Sequence, residues 1–146
     1  MASNEVLYEL SDHIATITLN APERMNTISR AMLNDLSAAL LRANEDTAVR
    51  CVVLTGAGRA FCAGLDLREA KTGNTSGIAN DNSTRTTLDL RNTPPTVLHA
   101  MDKPTVCAIN GGAAGYGMDT ALGCDIRIMA RSAKLAAAFL PGSVSQ

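Results

Sequence analysis

The chain has 146 residues, enough for one domain, and 46% of them are apolar, enough for a real core. Its formal net charge is −1 and neither sign accumulates anywhere, which argues against a nucleic-acid or anionic-membrane surface. No apolar run approaches the ~20 residues that span a bilayer, and the opening MASNEVLYEL reads as neither a secretory signal nor a transit peptide.

Residues 6–9 and Ile14–Leu19 alternate apolar and polar side chains around Ser11-Asp12, a hairpin signal, and Ala21-Pro22 breaks the pairing. From Ser29 the period changes. Met32, Leu33, Leu36, Leu40 and Ala43 recur at helical spacing, with Asn26, Thr27 or Ser29 as the cap. Residues 51–55 are short, β-branched and apolar throughout, the pattern of a strand covered on both faces, and Gly56-Ala57-Gly58 ends it. The stretch 71–87, KTGNTSGIANDNSTRTT, nearly lacks large apolar groups and is expected to form a mobile polar loop. Pro94-Pro95 opens a short helix with Val97, Leu98 and Met101 on its buried side, and Pro104 ends it. Thr105–Ile109 reads as another buried strand, 110–117 (NGGAAGYG) as a glycine loop, 118–122 as helical and 126–130 as a third apolar strand. Strand, glycine loop, helix, strand thus occurs twice, at 51–70 and 105–130, which implies an α/β core with parallel strands.

The four cysteines, Cys51, Cys62, Cys107 and Cys124, form no C-x-x-C pair, and neither His13 nor His99 stands at metal-ligand spacing from them. Buried thiols of a reducing compartment are expected, hence a cytoplasmic location and no metal. Two glycine loops after strands suggest a nucleotide site first. However, Phe61 stands where G-x-G-x-x-G needs its third glycine, and neither G-K-[ST] nor G-x-S-x-G occurs. A glycine loop leading into a helix instead exposes N–H groups with no intrahelical partner. Two such loops facing each other aim two donors at one oxygen, an oxyanion hole suited to a thioester carbonyl becoming an enolate. Cys62, Ala63, Gly64, Gly115 and Gly117 are small enough to let an acyl group approach the backbone.

RAFCAGLDL together with KPTVCAINGGAAGYGMDTALGCDIRI, preceded by LNAPERMNTIS and VRCVVLTGAGRAF, resembles the crotonase family, also called the enoyl-CoA hydratase/isomerase family, over residues 5–139. The resemblance implies a crotonase-like α/β fold: a spiral of repeated ββα units, two stacked sheets and helices outside. It would be a single domain over residues 1–146 that lacks the C-terminal part and the assembly helices. The resemblance also implies acyl-CoA chemistry through a stabilised enolate, by hydration or isomerisation of an enoyl-CoA. Coenzyme A would arrive as part of the substrate, with no prosthetic group. A homo-oligomer, trimer or hexamer, is implied where the assembly elements are present.

Carried over residue by residue, Leu65 and Tyr116 supply the two oxyanion N–H groups. Asp119 falls where hydratases of the family carry their first catalytic glutamate, and dienoyl-CoA isomerases an aspartate, so it is the candidate acid/base. Arg24, Met25, Ala63, Asp66 and Leu67 lie where the family folds around the CoA adenine and pantetheine, and Arg24 could meet a phosphate. Tyr116 is bulky where small residues are frequent. Phe139 occupies the register of the second hydratase glutamate, which speaks against a two-carboxylate hydratase. Plainer roles stand beside these. Phe61 would be a core anchor, Cys62 inert packing, Asp66 a partner of its own loop's amides, Arg24 a surface charge and Asp119 a cap of its own helix. The alternative to an enzyme is a truncated, inactive acyl-CoA-binding or assembly fragment.

Overall fold

Two left-handed residues, Asp12 (φ 51°) and His13 (φ 65°), turn the chain back on itself, in the conformation a two-residue hairpin requires. They join strands β1 (Val6–Ser11) and β2 (Ile14–Leu19), which pair antiparallel. The turn is therefore Asp12-His13 rather than Ser11-Asp12, and β1 runs two residues beyond 6–9. The computed structural model describes residues 3–71 and 93–137. Helix α1 (Arg30–Glu45) begins where the Ser29 hydroxyl accepts the Met32 N–H (3.0 Å), which selects Ser29 among the three candidate caps. Its far end is closed by the Lys103 ammonium, which donates to the Ala43 carbonyl (2.7 Å) and to that of Asp46.

Strands β3 (Cys51–Gly56), β5 (Thr105–Ile109) and β7 (Ile126–Met129) extend the hairpin in parallel into a five-stranded sheet of order β1-β2-β3-β5-β7. Short strands β4 (Ala60–Cys62), β6 (Gly112–Ala114) and β8 (Leu135–Ala136) form a second parallel sheet. Helices α2 (Leu67–Lys71), α3 (Pro94–Ala100) and α4 (Tyr116–Gly123), with one 3-10 turn at Pro22–Arg24, complete the described elements. The repeats are thus β3-β4-α2 and β5-β6-α4, the ββα order that the resemblance implies. Each glycine loop contains a three-residue strand, too short to carry a period of its own.

The core joins one face of the large sheet (Ala15, Ile17, Leu19, Val52, Leu54, Cys107, Ile109) to Met32, Leu36 and Leu40 of α1 and to Phe61, Leu98 and Ala121. Each such fully buried Leu or Ile contributes up to ~1.5–3 kcal/mol. Only alternate residues of β3 and β5 enter it, and all four residues of β7 are exposed. The expectation that residues 51–55 and Thr105–Ile109 are covered on both faces is therefore corrected: among the described residues the helices and the small sheet pack on one face. In α3, Val97 and Leu98 are buried and Met101 packs partly against the core, as the pattern predicts. The stretch 71–87, apart from Lys71 at the end of α2, lies outside the described residues, as does Phe139. No described helix is long and apolar enough to cross a membrane.

Candidate active site

Residues 25–28 run alongside 63–66. Ala63 donates its N–H to the Met25 carbonyl (3.0 Å), Ile28 to the Gly64 carbonyl (2.7 Å) and Asp66 to the Ile28 carbonyl (2.9 Å). In this parallel bridge between Ile28 and Leu65, Ile28 uses both of its own backbone groups. The N–H and C=O of Leu65 consequently point to the opposite side. Among the described residues the Leu65 amide has no hydrogen-bond partner.

Met25 (φ 56°) and Asn26 (φ 54°) both take left-handed backbone. The fully buried Asn26 side chain holds that conformation. Its Oδ1 accepts the Ala21 N–H (2.7 Å), and its Nδ2 donates to the carbonyls of Ala57 and Ala60 (2.9 Å each). Asn110 grips the same loop from the other side. Its Nδ2 donates to the Gly58 and Ala60 carbonyls (3.0 and 3.1 Å), and its Oδ1 accepts the Gly56 N–H (3.1 Å). Sequence reasoning assigned neither asparagine this positioning role. The available signal was a short amide beside a turn, able to adopt left-handed backbone and bond it locally.

Helix α4 starts at Tyr116, after Gly115 (φ 54°, ψ −120°), with no side chain capping it. Its first helical bond runs from the Asp119 N–H to the Gly115 carbonyl (3.0 Å), so the amides of Tyr116, Gly117 and Met118 have no helical acceptor. Gly117 sits directly on Cys62. A Cβ there would lie 2.7 Å from the Cys62 Cβ and 2.9 Å from its sulfur, and closer still to its carbonyl oxygen. Gly64 (φ +115°) lies against the Ala114 carbonyl, and Cys62 pairs with Ala113 between β4 and β6. Leu65 and Tyr116 thus leave two segments that are in backbone contact, and the α4 N-terminus adds its partial positive charge. Such an arrangement can hold one oxygen between two amides.

The Tyr116 ring is half-buried. Its phenol is pushed up to about 12, first by burial and then by the Asp119 carboxylate, while the Thr93 hydroxyl pulls the other way. The ring therefore turns toward the start of α3. Asp119 is exposed and does not cap its helix. Its carboxylate makes no hydrogen bond or ion pair among the described residues. Phe61 is fully buried as a core anchor. Burial pushes the Cys62 thiol up to about 11, so it stays protonated and inert.

Asp66 does bond its own loop. It accepts the Arg68 N–H (3.0 Å) at the start of α2 and receives the Arg68 guanidinium (3.0 and 3.2 Å), which holds its carboxyl below the usual range. Arg24 is a correction to the surface-charge reading. Its side chain is 15% exposed, donates to Glu5 (3.0 Å) and to the Thr27 carbonyl (3.1 Å), and lies 3.6 Å from Asp66. A phosphate would have to compete with those carboxylates for it. Met25 and Leu67 are 39% and 70% exposed and present open apolar surface beside Ala63. No cluster of metal-ligating side chains occurs among the described residues.

The family model described as enoyl-CoA hydratase/isomerase matches residues 9–143. The 1,2-epoxyphenylacetyl-CoA isomerase of Escherichia coli (strain K12) is 43% identical over 134 residues, which are 92% of this chain and 50% of that protein. The (E)-benzylidenesuccinyl-CoA hydratase of Thauera aromatica is 38% identical over 131 residues, 88% of this chain and 48% of that protein. Among solved structures, an enoyl-CoA hydratase/isomerase from Mycobacterium paratuberculosis is similar with a TM-score of 0.77 at 35% identity, over 90% of this chain and 50% of that one. The chain spans about half the length of the curated relatives it matches.

Proposed function

Because this chain belongs to the enoyl-CoA hydratase/isomerase family and has its crotonase α/β fold, we propose that it stabilises the enolate of an acyl-CoA thioester, hydrating or isomerising an enoyl-CoA. One observation carries the reading: among the described residues the amides of Leu65 and Tyr116 have no hydrogen-bond partner, and they stand on segments in backbone contact. The thioester carbonyl oxygen would accept both. As a proton leaves the α-carbon, negative charge grows on that oxygen and meets two fixed dipoles and a helix N-terminus. Each such donor is typically worth ~3 kcal/mol in the transition state.

Asp119, in the first turn of α4 and without a hydrogen-bond or ion-pair partner among the described residues, would move the proton at the α or β carbon. Met25, Ala63, Asp66 and Leu67 would contact the adenine and pantetheine, the exposed Met25 and Leu67 through apolar surface and Ala63 through backbone. Arg24 would act indirectly, by fixing Asp66. Coenzyme A enters as part of the substrate, so no prosthetic group is required. The setting would be cytoplasmic fatty acid metabolism, in a homotrimer or hexamer where assembly elements are present.

The test is turnover of crotonyl-CoA, followed by loss of enoyl absorbance, beside acyl-CoA binding by calorimetry. Leu65→Pro removes one donor and should abolish turnover. Asp119→Asn should lower turnover and leave binding intact. Unchanged turnover in Leu65→Pro would refute the oxyanion reading, and in Asp119→Asn would remove that carboxylate from the mechanism. A second reading is acyl-CoA binding without turnover, for which Phe139, in the sequence register of the second hydratase glutamate, is the supporting feature. Calorimetric binding with a silent absorbance assay would select it.

A further inference from the structure

With the thioester oxygen on the Leu65 and Tyr116 amides, the coenzyme A side of the substrate lies toward Met25, Ala63 and Leu67, and its α and β carbons lie toward Asp119. The acyl tail then continues past the first turn of α4. Tyr116 and Asp119 stand three residues apart and share that face of the helix. A long helical side chain leans back toward the N-terminus, so the Tyr116 ring stands beside the free amides of α4. Asp119, Thr93 and Cys62 are all within electrostatic or hydrogen-bonding reach of its phenol, which places the ring between α4, the start of α3 and β4. Across residues 62–64 and 112–117 no other side chain is larger than cysteine.

The end of that ring is closed off. The phenol oxygen is buried, with the Thr93 hydroxyl as a polar neighbour but no well-formed hydrogen bond among the described residues. Its tip is therefore enclosed by packing, with no water-sized gap beside it, while the residue as a whole keeps some exposure. Helix α3 has no room to draw back along α4. A Cβ at Gly123 would meet the Leu98 Cβ at 3.3 Å and the Pro95 carbonyl at 3.5 Å. We infer that the Tyr116 ring is the stop that ends the acyl path, so that the site takes short-chain acyl-CoA thioesters and turns away long-chain ones, an inference that rests on the thioester reading. A phenol reaches roughly 6 Å from its Cα, about the length of five chain carbons at ~1.3 Å each. Cutting it back to alanine opens that length to the acyl tail.

Competition calorimetry against butyryl-CoA on the purified chain measures the relative affinity of decanoyl-CoA at this one site. The wild type should bind decanoyl-CoA no more than ~3-fold more tightly than butyryl-CoA. Tyr116→Ala should favour decanoyl-CoA by at least ~10-fold, since each newly buried methylene is worth about 4-fold in affinity. Tyr116→Val should do the same and serves should the alanine variant fail to fold, with circular dichroism checking both. Tyr116→Phe keeps the ring and should keep the wild-type ratio, as should Leu122→Ala on exposed α4 surface. A wild type that favours decanoyl-CoA beyond ~3-fold, a phenylalanine variant that opens as alanine does, or alanine and valine variants that gain less than ~10-fold would overturn the inference. Butyryl-CoA binding in those same titrations would leave the thioester reading standing. A wild type that binds neither acyl-CoA would refute that reading and the inference with it.

Discussion

Replacing Gly117 by alanine isolates the contact that sets the two candidate oxyanion amides side by side. The new Cβ would fall 2.7 Å from the Cys62 Cβ and nearer still to the Cys62 carbonyl, whereas ordinary contacts begin at 3.4 Å. The obstacle is backbone on a paired strand, so it cannot rotate aside, and the two segments must separate by roughly 1 Å. Overpacking costs ~1–3 kcal/mol, and a clash this short against immobile backbone belongs at the upper end, ~2–3 kcal/mol. Alanine's better helix propensity returns at most about 1 kcal/mol. The clash wins, and the net loss of ~1–2 kcal/mol should lower the melting temperature by about 3–10 °C. If the two amides do act together, a displacement near 1 Å should also cost on the order of 100-fold in turnover. Thermal unfolding and acyl-CoA calorimetry on the wild type, Gly117→Ala and Gly112→Ala provide the assay. Gly112 is the control: a Cβ there meets nothing nearer than the Lys134 carbonyl at 4.0 Å, so its melting temperature should barely move. A Gly117→Ala protein that melts within about 1 °C of wild type, with unchanged acyl-CoA affinity, would refute the reasoning.

Asn26→Ala strands the Ala21 N–H and the Ala57 carbonyl, while the Ala60 carbonyl keeps Asn110, and should cost ~1–3 kcal/mol, read by chemical denaturation; a loss below about 0.5 kcal/mol would deny its positioning role. Glu5 has its carboxyl held down first by the Arg24 hydrogen bond and then by that of Ser29, against burial. A lowered carboxylate contributes stability that is fully present above its ordinary value of 4.5 and is lost as pH falls through the folded value. Melting temperature should therefore fall on acidification below pH 4.5, and Glu5→Gln should flatten that limb, by under ~1 kcal/mol for a pair this close to the surface. An acid limb identical in the two proteins would show that the pair contributes nothing. Iodoacetamide at mildly alkaline pH should label the half-buried Cys51 well before Cys62, whose buried thiol stays protonated up to about 11. Equal labelling rates on intact-protein mass spectra would contradict the burial of Cys62.

Helix α1, the hairpin and the strands β3 and β5 could be read from the chain alone. Their signals, a 3.6-residue stripe, an alternation and a Ser29 cap, act between residues a few positions apart. Leu65 and Tyr116 were reachable through the family resemblance; a helix start leaves the Tyr116 N–H unpaired wherever it occurs, whereas the Leu65 amide is turned outward by the bridge to Ile28, 37 residues earlier. The strands β4, β6 and β8 were not, since two or three residues are too few to show a period. Nor could sequence tell that Val53 and Val106 stay outside the core: an apolar run looks the same whether one face or two are covered. Which face is covered depends on where α1, α3 and α4 return. Arg24 reads as a surface charge or a phosphate contact until Glu5, 19 residues earlier, is seen to hold it. The clasp of Asn26 and Asn110 on residues 56–60, and the seating of Gly117 on Cys62, likewise join segments dozens of residues apart. Local backbone chemistry determined the elements and the uncapped start of α4. Only the tertiary structure decided which charges are balanced, which sheet face is open and how closely the two loops meet, because those depend on partners that chain folding alone brings into contact.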